Sequence, residues 1–195
     1  MIPISTIQKR VLAIFLIGGF VAVAVASTAA LSPSDSQSGV ADGTPSRTVA
    51  ATAWRDIELT DVETGEAFTI AGLAGNVVAI EPMAIWCGNC KRQQDNVKSA
   101  YSEIESSDVT YISLGIDPGE NPQQLAKYAD KRGYEWTFSQ SPLELSRALS
   151  DIFGPQILSA PSTPLIVLDP DGEIVVQEFG FHGPEKLLGI LEEAT

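Results

Sequence analysis

An apolar run, Val77-Val78-Ala79-Ile80, leads within a few residues to Trp86-Cys87-Gly88-Asn89-Cys90, and polar helix-forming sequence follows from Lys91. This junction constrains the chain more than any other feature. These are the only two cysteines in 195 residues, so neither a disulfide framework nor a four-cysteine zinc cage is available. A bridge between cysteines three apart closes too small a loop to add much stability, so its use lies in opening and closing. A CxxC where a buried strand turns into a helix puts the first sulfur at the helix N-terminus. There the unpaired N–H groups and the helix dipole favour a thiolate, and Lys91 and Arg92 favour it further.

The flanking sequence extends a strand-and-helix alternation in both directions. Ile57, Leu59, Val62, Phe68 and Ile70 surround Glu63-Thr64-Gly65-Glu66, which predicts an N-terminal hairpin. Val97, Tyr101 and Ile104 lie at helical spacing after the CxxC, and residues 109–116 read as a second buried strand. Asn121-Pro122 opens a helix with a cap and a first-turn proline, with Leu125, Tyr128 and Ala129 inward. A helix over 143–153 stops at Gly154-Pro155. Two strands, 165–168 and 173–176, flank the turn sequence Asp169-Pro170-Asp171-Gly172, and residues 184–194 form a last amphipathic helix. The order predicts an α/β fold with a central sheet covered by helices on both faces. Pro82 predicts a bulge or an early end to the first buried strand, because it removes a ladder donor.

Residues 11–31, VLAIFLIGGFVAVAVASTAAL, carry no charge and follow Lys9 and Arg10, the pattern of an export signal. The run is long for a cleaved leader and sufficient to span a bilayer, which favours a transmembrane anchor, although small-residue cleavage sites are present. No cysteine follows it for lipid attachment. The positive-inside rule then puts everything after residue 31 outside the cytoplasm, either on the cell membrane or released by cleavage. Residues 32–52, rich in Ser, Ala, Gly and Pro, read as a flexible linker, and residues 53–195 as the folded domain. With 12 Lys or Arg against 25 Asp or Glu, the net charge of −13 excludes a nucleic-acid binder. His182, the single histidine, reads as an exposed loop residue rather than a metal ligand.

The WCxxC after an apolar strand, with Ser162-Thr163-Pro164 and LIVLDPDGEIV about 75 residues on, resembles the thioredoxin superfamily, in particular its exported, membrane-tethered TlpA/ResA-type and redoxin-like members. The resemblance spans roughly Trp54 to Thr195. It implies a thioredoxin fold with a mixed sheet, an N-terminal β-hairpin extension, and thiol-disulfide oxidoreductase activity. It implies no cofactor beyond the redox-active disulfide Cys87–Cys90, with Cys87 as nucleophile and Cys90 as resolving thiol. Thr163 and Pro164 would form a cis-proline loop whose backbone receives the client chain. Pro161 competes for that place, and the spacing to Gly172 favours Pro164. Glu81, six residues before Cys87, stands where the family carries a buried proton-shuttling acid; the alternative is a strand end facing water. Trp86 would shield the sulfurs and present an apolar ring to partners. Asp95-Asn96 replaces the proline that kinks the first helix in many relatives. The implied partners are protein thiols or disulfides outside the cytoplasm and a membrane electron donor or acceptor, with apocytochrome thiols or a copper-site dithiol as client types. The alternative is a Sco-like copper-binding assembly factor. The stretch ISLGIDPGENPQQLAKYADKRGYEWTF is similar to that family's insert, but the CxxxC spacing is absent and no histidine lies between Cys90 and Pro164.

Overall fold

The structure, a computed structural model, describes residues 52–103 and 108–195. The predicted export segment, 11–31, and nearly all of the linker lie outside them. After a 3-10 turn at Ala53–Asp56, β1 (Leu59–Thr60) and β2 (Ala67–Phe68) pair as a small antiparallel hairpin. Then come β3 (Val77–Met83), α1 (Gly88–Tyr101), β4 (Val109–Gly115), α2 (Pro122–Arg132), β5 (Thr137–Gln140) and α3 (Leu143–Phe153). Two 3-10 turns, Pro155–Leu158 and Ala160–Ser162, lead into β6 (Leu165–Leu168), β7 (Ile174–Glu178) and α4 (Pro184–Glu193).

The main sheet has the order β5-β4-β3-β6-β7. β3, β4 and β5 run parallel, while β6 is antiparallel to both β3 and β7. Side chains alternate across it. Val77, Ala79, Met83, Tyr111, Phe138, Leu165 and Val167 pack with residues of α1, α2 and α4 in one core. Val78, Ile80, Ile112, Leu114, Ile166 and Leu168 pack with Leu145 and Leu149 of α3 and with Trp54 in the other. Helices on both faces and the N-terminal hairpin match the expected α/β class. The hairpin joins the sheet's edge through the Val62 N–H, which donates to the Phe138 carbonyl at 2.9 Å.

Local signals placed several elements correctly. Asn121 caps α2 and exchanges side-chain and backbone bonds with Gln124, and Gly133 ends the helix at φ 62°. Gly172 closes the β6–β7 turn at φ 80°, and Gly172 N–H bonds Asp169 O at 2.8 Å.

Three expectations need correction. β3 neither bulges nor stops at Pro82; it pairs with β4 through Met83. Its pairing with β6 ends at Ile80, so Pro82 falls where only one side of the strand is laddered. A strand not expected between the two helices, β5, is four residues long and pairs with β4 over its whole length. His182 is buried, with 1% of its surface exposed. Its N–H donates to Gln93 Oε1 at 2.9 Å, its carbonyl accepts from Asn96 Nδ2 at 2.8 Å, and its Nε2 lies 2.9 Å from Glu178 Oε2. The segment before α4 is thus held against α1 by residues of α1 itself. Helix α1 runs unbroken through Asp95 and Asn96, and Ile104, expected on its inner face, lies outside the described residues.

Candidate active site

Cys87 has extended backbone, at φ −77° and ψ 112°, and is the N-cap of α1. Its Sγ accepts the Cys90 N–H at 3.1 Å, so one of the orphan donors at the helix start is aimed at the first sulfur. The two cysteines are disulfide-bonded with their Cα atoms 5.3 Å apart. Cys87 keeps 3% exposure and Cys90 none, an asymmetry that suits an outer attacking sulfur and an inner resolving one. Cys90 Sγ lies 3.2 Å from the Ala160 carbonyl oxygen, which can accept a hydrogen bond from the thiol once the disulfide is reduced.

The loop before Cys87 is braced by the segment after β4. Glu120 Oε1 accepts the Ile85 N–H at 2.8 Å, and Asp117 accepts the Trp86 indole N–H. The Gly119 N–H and that indole hold the Asp117 carboxyl below the usual carboxylate range. Burial pushes the Glu120 carboxyl upward. Trp86 nevertheless stands out at 62% exposure, and Phe181, at 54%, lies under the Arg92 guanidinium of α1. Arg92 also donates to Asn89 Oδ1 at 2.7 Å, and Asn89 donates to the Pro161 carbonyl at 2.8 Å. The disulfide itself is almost enclosed, with exposed aromatic rings beside it in the chain at Trp86 and against Arg92 of α1 at Phe181.

The proline loop differs from expectation. Among the described residues no peptide bond is cis, so the Thr163–Pro164 bond is trans. Thr163 adopts a left-handed conformation, φ 43° and ψ 64°, and its N–H bonds the Ala160 carbonyl at 3.0 Å. Thr163 and Pro164 are both buried. The loop groups that bond the CxxC segment are the carbonyls of Ala160 and Pro161.

Glu81 is buried, at 1% exposure, and does not face water. It sits on β3 opposite Ser113, on the sheet face that also carries Tyr111. Tyr111 OH donates to Glu81 Oε2 at 3.1 Å, while Oε1 is buried without a partner. Burial pushes the carboxyl up to about 8, and the tyrosine bond offsets part of that rise. From α1, one turn beyond Cys90, the buried Gln94 reaches Ser113 Oγ at 3.4 Å and accepts from Tyr128 OH at 2.7 Å. Trp136 Nε1–H donates to the same Ser113 Oγ at 2.9 Å. A polar network therefore runs from α1 to Ser113 of β4, the residue paired with Glu81 of β3. Tyr111, Ser113 and Gln94 were not singled out from the sequence; a tyrosine and a serine inside a buried strand were the available signal. No group of three or more His, Cys, Asp or Glu side chains that could hold a metal occurs among the described residues.

No protein-family model matches the chain, and no curated protein matches it. Solved structures do. A thiol:disulfide interchange protein of the thioredoxin family from Chlorobium tepidum TLS is 18% identical, with 71% of this chain and 92% of that one covered and a TM-score of 0.59. The thioredoxin domain of a thiol-disulfide oxidoreductase from Bacteroides vulgatus is 17% identical, with 70% and 91% covered and a TM-score of 0.55. Arabidopsis thaliana ScoI with copper bound is 15% identical, with 70% and 94% covered and a TM-score of 0.55. At these identities the likeness establishes the thioredoxin fold.

Proposed function

We propose that this chain, a thioredoxin fold with a disulfide at the start of its first long helix, is a thiol-disulfide oxidoreductase acting on protein cysteine pairs outside the cytoplasmic membrane. The observation that carries the reading is Cys87 as N-cap of α1, its sulfur accepting the Cys90 N–H at 3.1 Å. In the reducing direction the Cys87 thiolate attacks one sulfur of a client disulfide. The client's other sulfur leaves as a thiolate and takes a proton. Cys90 then gives up its proton and attacks Cys87 Sγ, which re-forms the internal disulfide and releases the client's second thiol. Two electrons pass from the enzyme dithiol to the client, and the oxidising direction is the reverse.

The Cys90 thiol is enclosed, so its proton needs a local acceptor. Glu81 fits that role: it is buried in the layer beneath α1, its carboxyl is pushed up to about 8, and an ordinary thiol titrates near 8.5. Trp86 and Phe181 supply the apolar rim against which a client strand packs. The uncharged run at 11–31 supports an anchored or exported protein, and a tethered reductant needs a separate membrane electron donor. Among the described residues no helix is long and apolar enough to cross a membrane. Client identity follows the resemblance alone: apocytochrome thiols or a copper-site dithiol.

The copper reading would need His182 as the third ligand beside the two sulfurs. That ring is buried against Glu178, which also takes Lys186 Nζ at 2.6 Å. Exchange chemistry is the better supported of the two.

The test is disulfide reduction in insulin with the wild-type protein, Cys87→Ser and Cys90→Ser. Cys87→Ser should abolish turnover, and Cys90→Ser should accumulate mixed disulfides with the client. Equal trapping by both variants would refute the assigned order. The reduction potential sets the direction: about −270 mV marks a reductant and about −180 to −120 mV an isomerase or oxidant.

A further inference from the structure

Glu81 Oε2 has one hydrogen-bond partner, the phenol of Tyr111, and Oε1 has none. Both residues are buried, at 1% exposure each. Their placement follows from register. β3 and β4 run parallel with Ala79 beside Tyr111 and Glu81 beside Ser113, so Tyr111 shares a sheet face with Glu81 one step back along the neighbouring strand. The phenol ring is itself fixed, edge-on to Trp136 with centroids 5.8 Å apart. Across the layer, Gln94 of α1 is bonded to Ser113 and to Tyr128, and neither bond reaches the carboxyl. Among the described residues, Tyr111 is thus the one donor aimed at this acid.

We infer that Tyr111 is a positioning residue for proton transfer: it holds one oxygen of Glu81 and leaves Oε1 as the oxygen that takes up and returns the proton of Cys90. The inference rests on Glu81 as the proton acceptor. A phenol that donates to the carboxylate favours its ionised form against the cost of burial. The Tyr111 hydroxyl is itself pushed well above its ordinary value by the same burial and by the adjacent carboxyl, so it stays a donor throughout the working range. The other titratable groups of this layer are Tyr128 on α2, which feels the Glu81 charge, Tyr101 on α1, Tyr134 between α2 and β5, and the cysteine pair at the start of α1; the three hydroxyls are bonded to Gln94, to the Val109 carbonyl and to Asp95. β6 contributes only apolar side chains to it. None of these can replace the phenol as a donor to Oε2.

The experiment compares the wild-type protein, Glu81→Gln, Tyr111→Phe and the double variant. It reads the pH dependence of the rate at which the reduced protein reduces oxidised glutathione. It also reads the carbonyl band of protonated Glu81 by infrared spectroscopy, assigned by its loss in Glu81→Gln. Tyr111→Phe keeps the ring and its contact with Trp136, and its fold is checked by thermal melting. As a second variant, 3-fluorotyrosine at position 111 keeps both ring and hydroxyl and makes a stronger donor. The inference expects Tyr111→Phe to move the Glu81 titration, in both rate and band, upward by about one pH unit. It expects the fluorinated residue to move it downward and Tyr111→Phe to have no further effect on the pH profile of Glu81→Gln. If Glu81→Gln removes an ionisation from the rate profile but neither change at 111 moves it, the Tyr111 role is overturned and the Glu81 role stands. If Glu81→Gln leaves the rate profile unchanged, the Glu81 role falls and the inference falls with it.

Discussion

The buried carboxyl should make the protein's stability depend on pH with a sign opposite to that of a surface acid. Burial pushes Glu81 from an ordinary 4.5 up to about 8. Below about pH 4.5 the group is protonated in folded and unfolded chains alike, and its burial carries no ionic penalty. Between about 4.5 and 8 the unfolded chain loses the proton first, so stability falls as pH rises; above 8 both states are ionised and the loss is constant. Each pH unit within that window removes about 1.4 kcal/mol, so the loss between pH 5 and pH 8 comes to about 3 to 4 kcal/mol. Glu81→Gln cannot ionise and keeps a carbonyl oxygen for Tyr111 to donate to. Its stability relative to the wild-type protein should therefore rise by that amount over the same interval. Urea unfolding of the oxidised proteins at pH 5, 6.5 and 8, followed by the fluorescence of the buried Trp54 and Trp136, measures the difference. Groups common to both proteins cancel in it. Stability curves that stay parallel within about 0.5 kcal/mol would refute the argument, because they would mean that Glu81 meets water or a compensating charge.

The remaining tests address the groups that hold the site together. Asn96→Ala removes the bond to the His182 carbonyl and should cost about 1 kcal/mol in urea unfolding, together with faster amide exchange around residues 180–183. Asp117→Ala frees the Trp86 indole; because the Asp117 carboxyl is solvent-exposed, the unfolding midpoint should stay close to that of the wild-type protein while KM for a protein client rises and Trp86 emission shifts. Gly133→Ala forces a left-handed position onto a side chain at the end of α2 and should destabilise by about 1 kcal/mol, read from the unfolding midpoint.

What could be read from the sequence was what neighbours in the chain determine. Asn121-Pro122 with Gln124 is a complete helix start within four residues, and Asp169-Pro170-Asp171-Gly172 is a complete turn, so both elements fell where expected. The CxxC belongs to this class, since the N-cap geometry of Cys87 involves only Cys90. What was misread depends on distant partners. β5 is four residues whose strand character comes from β4, and His182 looked like loop sequence because the groups that bury it, Gln93 and Asn96, lie almost 90 residues earlier. The proline loop was misread for a related reason: its approach to the CxxC runs through carbonyls of Ala160 and Pro161, and a carbonyl leaves no mark in a sequence. Glu81 shows where the boundary falls. Every residue of Val77–Met83 is buried, and a strand covered on both faces leaves an acidic side chain no route to water, so its burial follows from the strand's central place. The identity of its donor does not follow. Parallel strands joined through a helix have no turn to set their register, and a slip of one residue between β3 and β4 would turn Tyr111 to the opposite face from Glu81. The proton chemistry proposed for this site thus depends on a strand register that three-dimensional packing decides, while its sulfur chemistry is written in four consecutive residues.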